Sequence, residues 1–174
     1  MNEGKKFENC FKKSVPEEVM YYRIPDPAES FSSIKEGLRF TIKNPCDVFL
    51  YNPKTKTMYA LELKSTKDTS LSYWKEEFED KEKKQTFMIR KNQILGLEKF
   101  SKFNIISGFV INFRKTNHTY FFEISDFLKM VERLNKKSFN EADVFKNNGV
   151  RIEQTLLRKN YKYDIEKFLE EVYV

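Results

Sequence analysis

Apolar positions in this chain recur with two periods, and each stretch of one period marks an element. Over residues 4–15, Phe7, Cys10 and Phe11 fall on one side of a 3.6-residue turn with lysines around the rest. That spacing predicts an amphipathic helix stopped at Pro16, with Glu8 at the inner edge of its buried face. A short strand follows over 19–23. Pro25, Pro27 and Ser30-Phe31-Ser32-Ser33 then break the pattern, so 25–38 reads as a loop or small projection before Arg39-Phe40-Thr41-Ile42 resumes an extended alternation.

Two apolar runs, 46–52 and 57–65, flank Asn52-Pro53-Lys54-Thr55-Lys56, whose Asn-Pro opening favours a turn and hence a β-hairpin. With that turn centred near residues 54 and 55, Asp47 comes to lie opposite Glu62. The mixed charge run 75–85 reads as a solvated, mobile surface, and Tyr73 and Trp74 at its entrance read as anchors onto the core. Beyond it, Ile89, Gln93, Leu97 and Phe100 recur at helical spacing. Gln93 is therefore a polar side chain on an inward face, and it needs a partner. Strands are expected at 105–113 and 119–124, joined through Lys115-Thr116-Asn117-His118. Ser125 is placed to cap a helix bearing Phe127, Leu128, Val131 and Leu134, and Asp164 one bearing Ile165, Phe168, Leu169 and Val172.

No internal repeat or low-complexity linker divides the chain, so residues 1–174 read as one domain. Strands interrupted by a helix and followed by helices close most naturally as an α/β fold, a mixed β-sheet flanked by helices. Composition agrees: 174 residues with 40% hydrophobic positions suffice for one sizeable core. The 17 Phe and 9 Tyr fit a ring-rich interior better than exposed stacking surfaces.

Charge adds a direction. Lys and Arg number 32 against 26 Asp and Glu, a net charge of +6 that suits a polyanionic partner. Lys5, Lys12, Lys35, Arg39, Lys43 and Lys67 are the candidate phosphate contacts, although a solvated face explains such lysines equally well. Cys10 and Cys46, the two cysteines, lack zinc spacing, which argues against a structural zinc site. Neither a signal core nor an apolar run of about 18 residues is present, so the expectation is a reducing, cytoplasmic setting without a membrane. His118 sits in a turn context without a Cys or His neighbour.

The candidate chemistry lies in the first hairpin. Alternation along a strand puts Glu62 and Lys64 on one face, where Asp47 can join them. Two carboxylates and one ammonium suit hydrolysis of a phosphodiester: hard oxygen ligands hold Mg²⁺ against a phosphate, and the ammonium positions water or offsets developing charge. Plainer roles stand beside this one. Glu62 and Lys64 also fit an exposed ion pair, Asp47 a turn cap, Glu8 a solvated helix flank, and Gln93 the satisfaction of a buried backbone group.

Asn44-Pro45-Cys46-Asp47, followed fifteen positions later by Glu62-Leu63-Lys64, resembles the PD-(D/E)xK nuclease pattern. Together with Gly4-Lys5-Lys6-Phe7-Glu8, Ser65-Thr66 and Asn92-Gln93, it is similar to the RecU family of Holliday-junction resolvases and its phage-borne relatives, over most of the chain. The resemblance implies a restriction-endonuclease-like fold and a homodimeric, Mg²⁺-dependent endonuclease, with Mn²⁺ an alternative ion, that nicks branched DNA in pairs. Asp47 and Glu62 would be its metal ligands, Lys64 would act on the attacking water or the phosphate, and Glu8 and Gln93 would complete the site. RecU proteins carry a long basic stalk before the catalytic Asp. Here the corresponding segment, about 25–43, is short and Ser-rich, with Lys35, Arg39 and Lys43 its basic members. Cleavage of flaps, ends or plain duplex, or DNA binding without cleavage, are the alternatives.

Overall fold

The computed structural model describes residues 2–25, 44–78 and 86–173. The expected projection, with Lys35, Arg39 and Lys43, lies outside the described residues from 26 on, as does most of the charge run.

Helix α1 spans Glu3–Ser14 and buries Phe7, Cys10, Phe11 and Ser14. Asn2 caps its start by accepting from the Gly4 N–H at 3.0 Å. Its end comes where Val15, ahead of Pro16, is extended. Strands β1 (Met20–Arg23), β2 (Val48–Asn52) and β3 (Thr57–Thr66) follow in antiparallel order. Val48 faces Leu61, so one further step of the register sets Asp47 against Glu62, as the hairpin arithmetic requires.

After β3 the chain crosses over one sheet face through β4 (Ser70–Ser72), a 3-10 turn at Glu76–Phe78, and helix α2 (Lys91–Ser101). It returns as β5 (Ile106–Phe113), parallel to β3. Strand β6 (His118–Glu123) pairs antiparallel with β5, and helix α3 (Ile124–Arg133) follows at once. Ile89, expected at the head of α2, instead precedes it and bridges to Tyr73. Ser125 does not cap α3. Glu123 holds the cap position, and the Ser125 hydroxyl donates to its carboxylate at 3.0 Å.

The remaining elements are short: β7 (Ser138–Asn140), α4 (Glu141–Lys146), β8 (Val150–Ile152), a ribbon of β9 (Gln154–Leu157) and β10 (Asn160–Tyr163), and α5 (Ile165–Tyr173). Asp164 does cap α5, accepting from the Lys167 N–H at 3.1 Å. The central sheet runs β1-β2-β3-β5-β6-β8, and its interior strand β5 is buried on both faces over 107–113, as a strand covered on both sides must be.

Two apolar layers enclose that sheet. On one face, Phe7 and Phe11 of α1 and Phe168 of α5 pack on Leu50, Leu61 and Phe121. On the other, Leu97 of α2 and Phe127 of α3 pack on Ala60, Phe109 and Phe122. Tyr73 is fully buried there and donates from its hydroxyl to the Lys136 carbonyl at 2.6 Å, so it is an anchor, as its position suggested. No helix among the described residues is long and apolar enough to cross a membrane.

Candidate active site

Strand β2 begins one residue after Asp47 while β3 continues to Thr66, so the outer edge of β3 from Glu62 onward has no β2 partner among the described residues. Asp47 stands at that fork and is held from three sides. Its carbonyl accepts from Ile24 N–H at 2.9 Å, its own N–H donates to Leu61 at 3.1 Å, and its Oδ2 accepts from Leu63 N–H at 2.8 Å. The side chain thereby continues the hydrogen bonding that β2 abandons.

Glu62 sits in the middle of β3 and is 3% exposed, an extreme burial for a carboxylate. Alternation puts its side chain on the α2 face with Ala60, and two donors meet it there. Lys64 Nζ lies 2.9 Å from its Oε1, and Gln93 Nε2 donates to the same oxygen. Gln93 Oε1 in turn accepts from Arg90 N–H at 2.9 Å, so one amide ties the start of α2 to the buried acid. The polar residue on the inward face of α2 has found its partner.

Burial pushes the Glu62 carboxyl up to about 7. The Lys64 charge pulls against burial, while Asp47 raises Glu62 further, both as a like charge and through a hydrogen bond. Asp47 and Glu62 therefore confront each other as acidic neighbours. Such a pair is stabilised either by a shared proton or by a cation.

Glu8 projects from α1 at the same corner and is half-buried, with its carboxylate 3.5 Å from Arg23. Tyr21 of β1 ties this corner together. Burial, then Glu8 and Asp47, push its phenol up to about 12, while Arg23 acts in the opposite sense. Of the sequence candidates, Asp47, Glu62, Lys64 and Gln93 thus form one contact group and Glu8 flanks it across Tyr21. Lys5, Lys12 and Lys67 are exposed, and Lys12 lies 5.7 Å over the Tyr21 ring. His118 is engaged elsewhere, its Nδ1 2.6 Å from Glu141.

The sequence reading passed over Arg90 and Lys91, which stand exposed at the start of α2 next to the Glu62–Gln93 contact. Their signal was available in principle: they sit just ahead of Gln93, where cations can meet a phosphate approaching Glu62. Tyr21 carried no signal, being one ring in a Tyr-Tyr pair.

Among the described residues no group of three or more His, Cys, Asp and Glu forms a metal cage. Two carboxylates at a fork suit the opposite strategy. Mg²⁺ is commonly held by one or two carboxylates, with waters and substrate phosphates completing its shell, so the donor set fits that ion.

The mixed sheet clad in helices matches the fold of a solved junction resolvase. Among solved structures the chain is similar to Archaeoglobus fulgidus Hjc, a Holliday junction resolvase from an archaeal hyperthermophile. The TM-score is 0.50 at 17% identity, over 85% of this chain and 95% of Hjc. No family model matches the chain. No curated protein matches it by sequence.

Proposed function

We propose that this protein is a metal-dependent endodeoxyribonuclease that cuts branched DNA, with the four-way junction its preferred substrate. The contact group of Asp47, Glu62, Lys64 and Gln93 at the strand fork carries this reading. Two likenesses obtained by different routes support it: motifs shared with RecU resolvases, and a fold shared with Hjc.

Asp47 and Glu62 would hold Mg²⁺, with Mn²⁺ an alternative. The bound ion would supply charge neutralisation at the phosphate and a water acidified for attack. Lys64, whose Nζ lies 2.9 Å from Glu62, acts by stabilising the phosphate rather than as a base. Gln93 keeps Glu62 oriented and favours its ionised form by donating to it. Glu8 would add acidic charge at the corner beside Asp47. Arg90, Lys91, Lys5, Lys12 and Lys67 contact the DNA backbone. A four-way junction cut symmetrically requires a two-fold enzyme, so the active form is a homodimer with an isologous interface.

Substrate choice is tested by incubating the wild-type protein with a labelled four-way junction, a flap and a linear duplex, in Mg²⁺ and in EDTA. Paired nicks in the junction, dependent on Mg²⁺, are expected. Equal cleavage of all three substrates would reduce the proposal to a general nuclease, and firm binding without cleavage would replace it with a DNA-binding module.

A further inference from the structure

On the same sheet face as Glu62 and Lys64, one row further along the strands, lies a cavity of about 450 Å³ that the proposed catalytic group does not use. The register places it. Lys64 pairs with Ile111, Thr66 with Phe113, and Ile111 with Tyr120, and Phe113 and Tyr120 form the cavity wall. At about 4.8 Å between strands and 3.3 Å per residue, that wall begins roughly 10 Å from Lys64. A DNA strand rises about 3.4 Å per nucleotide, so the separation corresponds to roughly two to four nucleotides.

The lining is chemically specific. Phe113 and Tyr120 line it but are themselves buried, 2% and 5% exposed, so Phe145 of α4, 70% exposed at the mouth beside fully buried Val144, is the ring open to stacking. Glu141 occupies the polar side. Its Oε2 accepts from the Thr116 hydroxyl at 2.7 Å, and its Oε1 accepts from Tyr120 at 3.0 Å and meets His118 Nδ1 at 2.6 Å. A carboxylate offers about four acceptor positions, so three partners fix its orientation and leave one position over. Exposed Lys115 and exposed Asp68 both line it, and exposed Lys67 precedes Asp68 just past the end of β3. One exposed ring at the mouth of a largely apolar cavity and one fixed acceptor match a nucleobase, whose ring face and N–H edge each find a counterpart. The volume falls within the roughly 300–1,000 Å³ of small-ligand sites.

We propose that this cavity receives one unpaired nucleobase of the substrate strand, two to four nucleotides from the scissile phosphate, with an N–H of the base donating to Glu141. Glu141 can accept from the amino groups of adenine, cytosine and guanine or from the N3–H of thymine, all free once the base is unpaired. The site deepens the nuclease reading and rests on it for its substrate. A base lodged there would require an opened pair near the cut, which costs less beside a crossover, where stacking is interrupted, than within intact duplex.

The test is photocrosslinking of Asp47→Asn protein to four-way junctions carrying 5-iododeoxycytidine at one position at a time on either side of the cut mapped with wild type. The expected crosslink reaches Phe113, Tyr120 or Phe145 from one or two adjacent positions, and Phe145→Ala weakens junction binding by about tenfold with no change for duplex. Phe145 is largely exposed, so this variant keeps its fold. Cleavage by wild type without a crosslink to these residues, or Phe145→Ala binding as tightly as its parent, overturns the base site while the nuclease reading stands. A crosslink from a protein that never cleaves keeps the base site and removes the nuclease. Absence of DNA binding removes both.

Discussion

Gly96 of α2 rests directly on Pro45: a Cβ added to the glycine would lie 2.6 Å from the proline Cβ and 2.8 Å from its carbonyl oxygen. Here α2 touches the turn that delivers Asp47, and the same helix carries Gln93 to Glu62. Helix propensity alone would reward Gly96→Ala by up to about 1 kcal/mol. The overlap is with backbone as well as side chain, so overpacking of about 1–3 kcal/mol prevails and the variant is destabilised. Thermal melting checks the sign. Cleavage should fall more than stability, because the displacement separates Gln93 from Glu62.

Glu62 makes metal-free stability depend on pH. Its folded value of about 7 lies above the ordinary 4.5, so the folded protein binds the proton more tightly than the unfolded chain. The resulting stabilisation is fully present below 4.5 and disappears as the pH rises through about 7. The shift corresponds to roughly 3 kcal/mol. Urea unfolding in EDTA at pH 5 and pH 8 should show wild type losing that much more than Glu62→Gln. Mg²⁺ should restore part of the loss at pH 8, because it binds the ionised acid.

Glu62→Gln should also abolish cleavage while leaving junction affinity unchanged or slightly higher, since it removes a negative charge beside the phosphate. Gel-shift and cleavage assays on the same preparation separate the two effects. Affinity lost together with activity would mark Glu62 as structural.

Gln93→Ala removes a donor that favours ionised Glu62 and leaves the Arg90 N–H without its side-chain acceptor. A stability loss of about 1–3 kcal/mol is expected. The pH at which cleavage reaches half its maximum should rise, which a purely structural effect would not produce. A pH–rate profile in saturating Mg²⁺ reads it directly.

The site was more legible in the sequence than the second half of the fold. Asp47 and Glu62 are joined by a hairpin with four residues, 53–56, in its turn, so counting from Asn52-Pro53 was enough to pair them. Gln93 announced itself as a polar position on an apolar stripe. From residue 135 on, such local signals fail. Strands β7 to β10 are three or four residues long, too short for a period, and β7 pairs with β4, Ser138 meeting Ser72 across a long separation in the chain. Glu141, expected by no pattern, lies where three donors from the β5–β6 hairpin converge. Ser125 misled because capping preference is local, whereas α3 starts directly from the end of β6.

The central claim is that Asp47, Glu62 and Lys64 form one hydrolytic unit around a metal ion. Single-turnover cleavage of a four-way junction in Mg²⁺ by wild type, Asp47→Asn and Lys64→Ala tests it most directly. Metal-dependent nicking by wild type, with each variant slowed at least about a hundredfold, is the predicted result. Nicking that survives in Asp47→Asn, or continues in EDTA, would contradict it.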